Sequence, residues 1–140
     1  MFQESLSKAG IKLELKRVSG DGYWDNVWLK VPFCAVYWAN RPTIDQQLTV
    51  TFQSGGAWND TRFSNAELDS LLVAARVELD QAKRAKMYAS CQELVSQNSG
   101  TICFAVQDYL DAHTTKLQGL TISGRFDMGD QRIAEKGWFA

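Results

Sequence analysis

The stretch from Ser64 to Asn98 reads SNAELDSLLVAARVELDQAKRAKMYASCQELVSQN, and it decides how the rest of the chain is read. Ser64-Asn65-Ala66-Glu67 has a hydroxyl with a carboxylate three residues on, which predicts a capping-box start. Leu68, Leu71, Leu72, Ala75 and Leu79 follow at helical spacing and make one apolar stripe. Asp80 is placed to cap a second helix, whose Ala85, Tyr88, Cys91, Leu94 and Val95 form another apolar face. Asn98-Ser99-Gly100 supplies its stop. A helical hairpin is therefore predicted.

Working outward, Phe2 to Ala9 reads as the end of a helix with Gly10 as its C-cap. Ile11 to Val18 alternates Ile11, Leu13 and Leu15 with Lys12, Glu14 and Lys16, the period of a strand. Tyr23 to Leu29 reads as a short helix, with Trp24 and Trp28 packed in a core or covering a sheet edge. Phe33 to Trp38 (FCAVYW) and Thr101 to Gln107 (TICFAVQ) are short apolar runs rich in β-formers, predicting strands buried on both faces. Thr43 or Asp45 starts a further helix toward Phe52. Ser54 to Arg62 is a polar, glycine-bearing loop. Beyond Lys116 the signals fade. Strands alternating with helices predict an α/β fold with a small, mostly parallel sheet flanked by helices in three layers. Three strands would leave a sheet edge bare, which fits a fragment of a larger sheet.

The 140 residues suffice for one domain, 1–140, with no internal repeat or linker. Net charge is -1, with 15 basic and 16 acidic side chains well mixed, so nothing draws the chain to nucleic acid or an anionic membrane. The apolar runs are too short for membrane insertion, and no signal-peptide pattern is present. Met1 directly precedes what reads as a helix tail. A fragment is expected on that ground, so the missing signal leaves compartment open. Cys34, Cys91 and Cys103 show no metal-ligand spacing; three buried thiols are expected, with one disulfide as the alternative.

An enzyme needs a nucleophile, a base and a group to orient the base. The single histidine, His113, lies among threonines, and no GxSxG, HExxH, P-loop or GxGxxG occurs. Asp60 and Asp69 give no reliable carboxylate pair, and Asp127 and Asp130 flank a glycine as turn residues do. No enzymatic activity, metal or cofactor is therefore expected. The aromatics say more. Trp38 ends an apolar run where the chain turns into Ala39-Asn40-Arg41-Pro42, and ligands of open α/β sheets bind outside the carboxyl ends of strands. Trp38, Asn40 and Arg41 are thus candidate ligand contacts, joined by Trp58 and Asn59 from the next loop. The alternative is structural lining, with Arg41 paired to an acid such as Asp45.

Asn59, Phe63, Ser64, Asn65, Glu67, Asp69, Leu72, Ala75, Asp80, Arg84, Tyr88 and Gln92 fall at the spacing seen near the end of peptide- and nickel-type solute-binding proteins of ABC importers. The chain resembles the C-terminal lobe of such a family 5 extracellular solute-binding protein. The resemblance is strong from Asn59 to Gln92 and weak after Lys116. It implies a lobe of a type II periplasmic-binding-protein-like fold, truncated at its N-terminus, whose partners are a peptide or small-molecule ligand, the N-terminal lobe of the same full-length protein and a membrane permease. It implies a periplasmic or extracytoplasmic place, in a lipoprotein or similar carrier. In peptide binders of the family an aspartate three residues after the equivalent tryptophan meets the ligand's amino terminus. Here that position is Arg41, whose fork suits a carboxylate or phosphate and repels an ammonium. A polar or anionic solute is expected in consequence. Two other readings stand beside this one: a self-contained α/β interaction or sensory domain, and a small hydrolase using His113.

Overall fold

The computed structural model describes residues 2–140. It resolves into two compact units, one running up to Val36 and the other Tyr37–Ala140.

The second unit is built on three helices: α3 (Ile44–Phe52), α4 (Ala66–Val77) and α5 (Gln81–Asn98). Each start has a side-chain cap that satisfies backbone donors left over at a helix end. Thr43 Oγ1 accepts from Gln46 N at 3.1 Å. Asp80 Oδ1 accepts from Ala82 N at 2.8 Å and Lys83 N at 3.1 Å, as its position predicted. The cap of α4 is Asn65, not Ser64: Asn65 Oδ1 takes the Leu68 N–H at 2.9 Å. Gly100 follows the end of α5 with φ +75, the left-handed turn that glycine adopts without steric cost.

These helices pack by the stripes legible in the sequence. Leu68 and Leu72 of α4 are sealed from solvent in one cluster with Cys91 of α5 and Leu48 and Phe52 of α3, and Ala75 of α4 is likewise fully buried. Phe63, Leu71, Tyr88, Leu94 and Val95 wrap this core. Leu79 departs from the expected stripe at 89% exposure, because α4 ends at Val77 and the helical period ends with it. Ala85, expected on the inner face of α5, is also exposed. A bidentate contact ties α3 to α4: Arg76 Nε lies 2.9 Å from Asp45 Oδ1 and 3.0 Å from Oδ2.

The unit that runs up to Val36 holds α1 (Phe2–Lys8) and the single-turn α2 (Tyr23–Asn26). Trp24 and Trp28 meet edge to face at 5.6 Å. The Tyr23 hydroxyl donates to Ala35 O. Burial, together with the adjacent Cys34 thiol, pushes the Tyr23 phenol up to about 12.

The expected α/β lobe, three layers around a mostly parallel sheet, is not what the chain forms. The only sheet among the described residues is a two-stranded antiparallel pair, β1 (Leu117–Gln118) with β2 (Trp138–Phe139). Gly119 follows β1 at φ +83, where a Cβ would collide with Lys136 O and the Trp138 ring. Ile11–Val18, Phe33–Trp38 and Thr101–Gln107 have no regular secondary structure and enter no ladder. The physical reason is context. β-preference records packing against cross-strand neighbours, and an apolar run without a neighbouring strand has nothing to pair with. Many of the apolar side chains in these runs accordingly face solvent, with Leu15 68%, Phe104 65% and Val106 90% exposed. Near the C-terminus α6 (Asp127–Gln131) is a left-handed turn, with Met128, Gly129 and Asp130 at φ 50, 65 and 68. Both carboxylate oxygens of Asp111 hold its Met128 N–H at 3.0 Å. A short helix α7 (Ile133–Lys136) precedes β2.

Two substitutions measure this core. Leu72→Ala, at a fully buried site, should cost about 2–5 kcal/mol. Asp80→Ala should cost about 1 kcal/mol through the lost cap. Urea midpoints read both, and an unchanged midpoint for Asp80→Ala would show that its cap bonds add nothing.

Candidate functional site

The loop between α3 and α4 is held from within. Asn59 is buried, and its amide donates to Gln53 O at 3.0 Å, Phe63 O at 2.7 Å and, more distantly, Phe52 O at 3.4 Å. Its Oδ1 accepts from Phe63 N and from Thr61 Oγ1, each at 3.1 Å. Ser54 adds a clasp at each end of the loop. Its N–H reaches Asp69 Oδ1 at 3.0 Å, and its Oγ takes the Asn65 N–H at 3.1 Å. Asn59 was a candidate ligand contact in the sequence. Its polar atoms are instead spent on the chain itself, so it positions its neighbours.

Those neighbours are Trp58 and Asp60, and they meet Trp38 at the end of the Phe33–Trp38 run. Trp38 donates its indole N–H to Asp60 Oδ2 at 3.2 Å. The Trp38 and Trp58 rings lie 6.3 Å apart, tilted by 51°. Arg41 completes a near-equilateral triangle, with its Cζ 6.0 Å from the Trp38 centroid and 5.8 Å from that of Trp58. At that range a guanidinium is attracted by the negative face of an indole. Trp38 and Arg41 are half-buried, while Trp58 keeps 49% of its surface exposed. Asn40, the residue before Arg41, is exposed and its amide donates to Gly124 O at 3.4 Å.

Three of the five residues singled out in the sequence thus converge: Trp38, Arg41 and Trp58. Two loops bring them together, rather than the end of a strand in a parallel sheet. The alternative that Arg41 pairs with Asp45 is not realised, because Asp45 is taken by Arg76. Asp60 is the member the sequence did not point to. Its only signal was its place two residues after Trp58 in a loop returning to Trp38.

Elsewhere the chemistry is sparse. His113 is exposed, with Nδ1 3.0 Å from the neighbouring Thr114 O. Among the described residues no group of three or more His, Cys, Asp or Glu side chains is placed to hold a metal ion. No helix among them is long and apolar enough to cross a membrane. An open groove of about 580 Å³ lies along α1, lined by Gln3, Ser7, Ile11 and Leu13 among others, and it contains none of the five candidates. All three cysteines are free thiols, but they differ in burial: Cys91 is buried, Cys34 half-buried and Cys103 exposed. The expectation of three buried thiols therefore holds at Cys91, is met only in part at Cys34 and fails at Cys103. Burial pushes the Cys91 thiol up from its ordinary value, and burial with Asp45 nearby does the same to the Tyr88 phenol.

Asn59→Ala strands buried carbonyls and an N–H at once and should cost roughly 2–3 kcal/mol, read as a shift in urea midpoint. Thiol labelling should modify Cys103 first and Cys91 only on unfolding, since a thiolate is the nucleophile. The raised Cys91 and Tyr88 values also give a sign for pH. The folded chain keeps these protons where the unfolded chain has lost them, so stability is unaffected below the ordinary values of 9.0 for Cys91 and 10.0 for Tyr88 and falls as pH rises above each toward its raised folded value. Denaturation midpoints at neutral and alkaline pH check this.

No protein family, curated protein or solved structure matches the chain.

Proposed function

We propose that this chain is a ligand-binding part of an extracytoplasmic solute-binding protein of the ABC-importer kind. It captures a peptide or a related polar or anionic solute against a second lobe of the same full-length protein and delivers it, unchanged, to a membrane permease. The observation that carries this reading is the convergence of Trp38, Arg41 and Trp58. Two flat aromatic faces and a positioned cation are the equipment for holding a polar solute, and binding sites are built from a few such polar groups among aromatic walls. The spacing of Asn59 to Gln92, which resembles the solute-binding family, adds the transport context. Capture by hinge closure would bury the solute between lobes, so this chain alone supplies one wall.

The full-length protein, purified gently and weighed by native mass spectrometry, should carry its solute. Trp58→Ala should lose it while leaving the fold intact. The 140-residue chain alone should bind that solute far more weakly, because half of the contacts and the closure are missing. Micromolar binding by this chain alone would contradict the two-lobe reading. A second reading, a protein-interaction or sensory segment, is favoured by the exposed Phe104, Val106 and Leu110. It requires that Phe104→Ser with Leu110→Ser abolish capture of a protein partner while Trp58→Ala does not.

A further inference from the structure

Arg41 differs from the arginines whose charge is spent inside the chain. Arg76 is engaged by Asp45, Arg125 by Asp130 and Arg132 by Glu135. No carboxylate among the described residues pairs with Arg41. Its hydrogen bonding amounts to one long contact, Nη1 to Ala39 O at 3.4 Å. What holds it is the pair of indoles. An aromatic face attracts the cation without consuming its N–H donors, which lie in the guanidinium plane. The side chain is half-buried, so part of the rotamer entropy that a ligand would otherwise have to overcome is already lost. The result is a positioned cation with most of its donor fork uncommitted, beside Trp58, which keeps 49% of its surface exposed.

The fork's geometry names its complement. Two parallel N–H groups match the two oxygens of a carboxylate. Asp60, drawn into the cluster by Trp38, already contributes a negative charge and disfavours a dianion such as phosphate. We propose that Trp38, Arg41 and Trp58 form a subsite for a monocarboxylate borne on a planar group, an assignment that rests on the reading of the chain as a solute binder. Arg41 takes the carboxylate through its fork, and Trp58 lies against the plane.

A matched probe series tests this on the 140-residue chain: benzoate, benzamide and benzylammonium, followed by nuclear magnetic resonance shifts of the indole N–H and arginine Nε–H groups. Benzoate should move the Trp58 and Arg41 signals and bind at least about tenfold more tightly than either other probe. Arg41→Ala should abolish that preference. Arg41→Lys, which keeps the charge but not the fork, should retain only part of it. Arg132→Ala, away from the site, should match the parent chain. Equal binding of the three probes, failure of benzoate to bind, or a preference that survives Arg41→Ala in a folded variant would each overturn the carboxylate assignment. The broader reading fails on a separate result, full-length protein that carries no solute in native mass spectrometry.

Discussion

Asn59 is the fastener on which both the helical core and the aromatic cluster depend. One planar amide, buried among three carbonyls and two donors, closes the connection between α3 and α4. A planar amide offers two N–H donors and a carbonyl acceptor at once, which neither an ionised aspartate nor a leucine can do. Closing the loop sets the entry of α4, where Asn65 takes over as cap. It also fixes the residues either side of Asn59, and these carry the indole and the carboxylate that meet Trp38. Core and site share one support. The residue that looked like a ligand contact holds other parts of the chain in place instead.

Charge pairing works to the same end. Asp45 lies on α3 within easy sequence reach of Arg41, yet it binds Arg76 of α4 through both oxygens. That choice locks two core helices together and leaves Arg41 to the indoles. Arg76 gives Asp45 its Nε–H, shared by both carboxylate oxygens, and its Nη2 reaches Thr49 Oγ1, so the pairing joins two regular helices.

The helices were legible because their signals are local. Caps lie within three residues of what they cap, and the stripes of α4 and α5 repeat within a turn or two. Even the misplaced cap, Ser64 for Asn65, is a slip of one position between two competent residues. The strands were not legible in the same sense. FCAVYW and TICFAVQ carry strong β-preference, but a ladder needs a second segment in register, and composition cannot supply one. The cluster lies between these cases. Trp38, Arg41 and Trp58 announced themselves by type and by their place in turns, whereas Asp60 acquires its role only when a distant loop folds back.

The tryptophans have a spectroscopic consequence. Four of the five fall into two close pairs, one in each unit: Trp24 with Trp28 at 5.6 Å, and Trp38 with Trp58 at 6.3 Å. At such separations the excited states of two indoles couple, and each pair gives its own circular dichroism couplet. Replacing one pair with phenylalanine leaves the other as a built-in reporter, so the melting of either half of the chain can be watched without attaching a dye.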